Sequence, residues 1–173
     1  PEDFLPVSEG VIPGMFGGRN SPASAYAMYS PNFYFDEVEG LWIGGQFWDG
    51  RATGNVLGDP LADQALGPFL NPVEMHNPDK RAVVCDIPVS GYDELFFLVW
   101  GIDLTDCAFF SAEQIEIAYD DIALSIAAFE RTRHQFHGRE CIGRQAQVRI
   151  QPPSRRRQER KAFVVVRLDG HND

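Results

Sequence analysis

The chain has 173 residues, 44% hydrophobic and 23% charged. This length and ordinary globular usage suit one domain with a sizeable core, or one and part of a second, and exclude a multi-domain machine or a disordered or fibrous chain. The net charge of −10 disfavours nucleic acid as partner. The charge is split sharply: residues 1–130 hold 4 Lys and Arg against 21 Asp and Glu, whereas residues 131–173 hold 11 against 4. The longest apolar run, residues 95–102, contains a glycine and falls well short of the roughly 20 residues of a membrane span.

The chain starts at Pro1 with neither a basic nor an apolar leader segment, so no signal peptide is read. Residues 1–58 are rich in Gly, Pro, Ser, Asn and aromatics without helical or strand period, and read as ordered loop rather than disorder. Phe33, Tyr34, Phe35, Leu41, Trp42, Phe47 and Trp48 bring apolar surface that needs a partner, and a large flat cofactor would suit it.

Helical signals follow. Asp59 and Pro60 start a helix over residues 61–69 that Asn71 and Pro72 stop; Asn77, Pro78 and Asp79 precede one over 80–85; Tyr92, Asp93 and Glu94 open one over 95–100 that Gly101 ends. Ser111 to Gln114 spells a capping box, and Ile115, Tyr119, Ile122, Ile126 and Phe129 then recur on one face, predicting a helix over 112–131. Beyond Thr132 the period is lost, and only residues 162–168 have strand-like composition. Cys85, Cys107 and Cys141 are odd in number and widely spaced, so no disulfide framework is implied.

Three groups of residues bear on chemistry. Glu74 lies in an apolar, Pro-fixed loop just past a helix, where desolvation would raise its pKa: it is either a general acid or base, or a solvated loop carboxylate. Phe47 and Trp48 read as a buried-type aromatic pair before an Asp-Gly turn, and Trp48 is a core anchor, a stacking platform or an electron relay. Arg51 either clamps a carboxylate or propionate or pairs with an acidic residue. His134, His137 and Cys141 supply only three ligands and make a poor zinc motif, and Arg155 to Arg157 with Arg160 and Lys161 form a solvated tail or a patch for nucleic acid or an acidic surface.

The strings at residues 18–22 (GRNSP), 46–52 (QFWDGRA), 64–75 (QALGPFLNPVEM) and 126–132 (IAAFERT), in that order, resemble the bacterial di-haem cytochrome c peroxidase (MauG-type) family over residues 5–132. The resemblance implies a mainly α fold: a fragment of a cytochrome c-like helical haem domain with long ordered loops, residues 1–132 being part of the N-terminal domain. It implies a periplasmic enzyme with two haem c groups that reduces hydrogen peroxide to water with electrons from a small donor protein such as a cytochrome c or cupredoxin, and a possible homodimer. By matching motifs, Glu74 falls on the acid/base carboxylate, Gln64 and Met75 line the same distal pocket, Trp48 is the relay between haems, and Asn20 helps to bind calcium.

The departures from the family shape the expectation. Members carry one C-x-x-C-H upstream of the matching part and a second downstream, and this chain has neither, so covalent haem attachment is not expected and the fragment is inactive as it stands. The distal histidine of many members would fall near Val11 or Ile12, yet no histidine precedes His76. Such a member needs no ligand release or uses another sixth ligand, which equally fits a maturation enzyme that oxidises protein side chains. Residues 133–173 lose the resemblance as they turn basic, pointing to a shifted reading frame or a damaged gene copy. Two further readings are a haem-free interaction module using the basic tail, and a hydrolase pairing Glu74 with Asp49.

Overall fold

The computed structural model describes residues 7–22 and 24–132. Four α-helices carry the described fold: α1 Pro60–Ala65, α2 Lys80–Val89, α3 Asp93–Trp100 and α4 Ala112–Arg131. Ahead of them come a 3₁₀ turn, Ser24–Tyr29, and a hairpin of β1 Tyr34–Asp36 and β2 Leu41–Ile43, paired antiparallel with Phe35 opposite Trp42. A second 3₁₀ turn, Cys107–Phe109, precedes α4. No helix among the described residues is long and apolar enough to cross a membrane. The zinc triad, the residue 162–168 strand and the basic run all lie outside the described residues.

The mainly helical class is as expected, and α4 has the bounds that its sequence predicts. Ser111 caps it reciprocally with Gln114, so two amides left over at the helix start are satisfied. Its stripe shifts along its length: Ile115, Tyr119 and Ile122 are buried, but Phe129 is 60% exposed and Ala118, Ala123 and Ala127 take the buried positions. Small side chains there let α1 lie close, with Leu61 and Ala62 against Ala127. The main core gathers Val83, Val84, Phe96, Leu104, Cys107, Ile115 and Tyr119 between α2, α3 and α4.

Four expectations are corrected. The first 58 residues are not loop alone, because strands of three residues are too short to show a period, yet Phe33 stacks on Trp42 at 5.0 Å and Asp36 accepts from the amides of Val38 and Glu39 to close the turn. Helix α1 ends at Ala65, before Gly67 and Pro68, rather than at 69. Helix α2 runs on to Val89 with Pro88 in its last turn; the proline has no N–H for the Val84 carbonyl, and the helix closes one residue later with the Ser90 amide donating to the Asp86 carbonyl. Cys85 and Cys107 are joined as a disulfide, tying α2 to the second 3₁₀ turn; an odd cysteine count did not preclude one pair. Arg81, one turn earlier on α2, donates to the carbonyls of Cys107, Ala108 and Phe110 and secures the same junction.

Candidate distal loop and aromatic relay

The segment 64–77 contains three of the candidate residues and is shaped by its own polar groups. Gln64 is half-buried on α1, and its carbonyl accepts from the Gly67 amide at 3.1 Å as the helix stops. Pro68 then accepts from Met75 N–H at 3.3 Å, closing the loop across its neck. The Asn71 side chain accepts from Val73 N–H at 3.0 Å while its carbonyl accepts from the amides of Glu74 and His76. Asn77 returns both its backbone N–H and its side-chain amide to the Phe69 carbonyl. An Asx turn of this kind fixes a backbone more tightly than loop composition suggests.

Two elements outside the loop brace it. Tyr119 of α4, fully buried, donates its hydroxyl to the Leu66 carbonyl at 2.6 Å. Burial, and then the charges of Glu116 and Asp120, push the Tyr119 pKa up to about 12, so it stays a donor throughout the physiological range. On the other side the Val11 amide donates to the Glu74 carbonyl at 2.9 Å. Gly10 has to be glycine for this approach, because a Cβ there would stand 2.2 Å from the Val73 carbonyl oxygen.

Glu74 is thus held at its backbone from both sides. Its side chain is half-buried and makes no hydrogen bond or ion pair among the described residues, which leaves the carboxylate uncommitted. Met75 beside it is 45% exposed. His76, the only histidine among the described residues, is exposed and takes a left-handed backbone with φ 53°.

Trp48 is not the core anchor that an aromatic pair suggests. It is 67% exposed, and its indole N–H donates to the Asn20 carbonyl at 2.6 Å, so the structure brings these two candidates together. Phe47, also left-handed at φ 62°, packs its ring over Gly67 and carries the Arg51 guanidinium 3.7 Å above its face. Backbone strain in residues other than glycine therefore falls beside Trp48 and beside Met75, which is where functional loops store it. Arg51 pairs with Asp49 at 2.9 Å and Arg19 meets the same carboxylate at 2.8 Å. Partial desolvation raises the Asp49 pKa, and the hydrogen bonds from Arg19 and Arg51 outweigh it, so the carboxyl sits below the ordinary range. Buried Gln46, donating to the Ala27 carbonyl at 2.7 Å, and Gly45, whose Cβ would meet the Gly50 carbonyl at 2.6 Å, keep the turn compact.

The model of the family described as di-haem cytochrome c peroxidase matches residues 2–139. The chain belongs to this family. Among its curated relatives, the methylamine utilization protein MauG of Paracoccus denitrificans is 39% identical over 133 residues, covering 74% of this chain and 30% of that protein. The cytochrome c551 peroxidase of Nitrosomonas europaea is 36% identical over 87 residues, covering 50% and 21%. The crystal structure of the diheme peroxidase BthA from Burkholderia thailandensis superposes with a TM-score of 0.53 at 28% identity, covering 72% of this chain and 28% of that one. The chain thus spans less than a third of the length of these relatives.

A di-haem family implies haem c, and the residues here fit it on one side only. Thioether attachment needs a C-x-x-C-H, but Cys85 and Cys107 are bonded to each other and Cys141 stands alone in the sequence. What the described residues do show is Gln64 near the end of α1, Glu74 and Met75 in the loop that follows, and Phe47, the neighbour of Trp48, packed against Gly67 of that loop. No group of three or more His, Cys, Asp or Glu among the described residues gathers into a metal site, and Asn20 has its carbonyl engaged by Trp48.

Sequence motifs located the four strings but missed their supports. Tyr119 was legible only as one member of a helix stripe, and Asn71 only as a helix stop. For Gly10 the signal was a glycine in a loop, which says nothing of the carbonyl opposite.

Proposed function

We propose that this chain is the distal part of the peroxidatic haem domain of a di-haem peroxidase, serving the reduction of hydrogen peroxide to water with electrons from a small donor protein in the periplasm. Haem, when bound, supplies the iron that takes up peroxide and the electrons that cleave it. The chain's own residues handle position and protons. Glu74 holds a proton at a carboxyl oxygen and delivers it to the leaving oxygen of peroxide. Gln64 and Met75 shape the same pocket and limit the water in it. Trp48 is the relay, its ring orientation set by the hydrogen bond to Asn20, and Asn20 contributes to a calcium site completed beyond these residues. Without a tethered haem the chain alone is inactive.

The observation that carries this reading is the uncommitted Glu74 carboxylate on a loop whose backbone is fixed from both flanks. A maturation enzyme that oxidises a protein side chain is the second reading, favoured by the longer match to MauG and by the lack of any histidine before His76.

The test is an absorption spectrum of the chain made with haem-maturation machinery, beside the same chain given free haem. A Soret band that sharpens on addition and is weakened by Trp48→Ala supports the reading. A featureless response in both samples leaves the chain with family ancestry alone.

A further inference from the structure

Helix α3 is apolar on both faces. Six of its eight residues are hydrophobic, and of these Phe96 alone is buried in the core. On the opposite side Leu95 is 57% exposed, Phe97 56% and Leu98 66%, with Tyr92 at the preceding position 59% exposed. Leu95 and Leu98, three apart, are neighbours on the helix surface, and Phe97 extends the exposed apolar area about 100° further round the helix. A helix hydrophobic all round is one that something covers. The patch is bordered by Asp93 and Glu94 at its start and Asp103 just past its end, and between Ala82 and Glu130 the chain has ten Asp and Glu and no Lys, Arg or His.

From this charge pattern we infer that the outer face of α3 is a docking surface for a protein presenting an apolar patch ringed by Lys or Arg. A second copy of this chain would bring the same acidic border against it, and like charges facing each other oppose such a pairing. An anionic membrane surface is disfavoured on the same ground. The inference goes beyond the haem reading and does not rest on it, since α3 holds none of the residues assigned to the distal loop or the relay.

The test uses the full chain and, as probe, a synthetic helical peptide of leucine and lysine with one apolar face, compared with a lysine-only peptide of equal length. Binding of the first and not the second, weakening as salt rises from about 50 to about 500 mM, is expected. Leu95→Ser with Leu98→Ser, and separately Glu94→Lys with Asp103→Lys, should each weaken binding ~10-fold, the serine pair sparing the core because both leucines face outward. Glu37→Lys with Glu39→Lys on the hairpin makes the same change of net charge and should leave binding within about twofold. Circular dichroism establishes that every variant is folded.

Four results would overturn the inference. The hairpin variant weakening binding as much as the α3 variants would show attraction by overall charge. A dimer on sizing that Leu98→Ser dissolves would make the occupant a second copy. Phe97 protected from hydroxyl-radical labelling in the chain alone, or no peptide binding at all, would mean that the face is not free to dock.

Discussion

Between Lys80 and Arg131 the chain is held by side chains packed across helices and by the Cys85–Cys107 disulfide, whereas between Ser8 and Asn77 it is held largely by amides donating to loop carbonyls and short polar side chains. The helical region makes a core from periodic apolar residues. The loop region leaves Trp48, Met75 and Trp42 exposed and spends its hydrogen bonds on fixing a backbone path. Every residue assigned to chemistry belongs to the second region, and Tyr119 is where the first region supports it.

That comparison can be broken at graded cost. Tyr119→Ala, which removes both the largest fully buried side chain and the brace on Leu66, should cost about 3–5 kcal/mol in denaturant unfolding. Replacing Cys85 and Cys107 with serine should cost about 2–4 kcal/mol and loosen α2, while amide exchange of residues 71–76 stays unchanged. If those loop amides also speed up, the two regions are one unit.

Asn71→Ala reverses the pattern. It should cost about 1–2 kcal/mol and accelerate exchange at Val73, Glu74 and His76 with little effect on α4. Tyr119→Phe, losing only the hydroxyl, should cost about 1 kcal/mol near neutral pH. It also sharpens the pH dependence. Because the Tyr119 pKa in the fold is about 12, above its ordinary value near 10, the fold favours the neutral phenol. That contribution is whole below pH ~10 and is lost as pH rises toward 12, so the wild type should lose stability across this window and Tyr119→Phe should lose less. Smallest of all, Arg19→Ala should leave the unfolding midpoint within error, because its pair with Asp49 is exposed.

What could be read from the sequence follows the same division. Helix α4 was legible to the residue because a capping box and a repeating apolar face are local signals, and Gly101 in the left-handed conformation marked the end of α3. The hairpin was not, since three-residue strands carry no period. The candidate site was legible as motif strings through resemblance, not through periodicity. Its geometry depends on contacts distant in sequence, such as Tyr119 to Leu66 and Val11 to Glu74, which no local pattern encodes. The disulfide escaped for the same reason, since 22 residues separate its cysteines and only the packing of α2 on the second 3₁₀ turn brings them together.

The most direct test of the account transplants residues 7–132 into the matching stretch of the Burkholderia diheme peroxidase and compares peroxide consumption with Glu74 intact and with Glu74→Gln. The expected result is a chimera that reduces peroxide and a Glu74→Gln form slowed by about 10²–10⁴-fold in kcat, with its haem spectrum unaltered. Equal rates from the two forms, with the spectrum equally intact, would contradict the assignment of this loop as the proton-delivering side of the site.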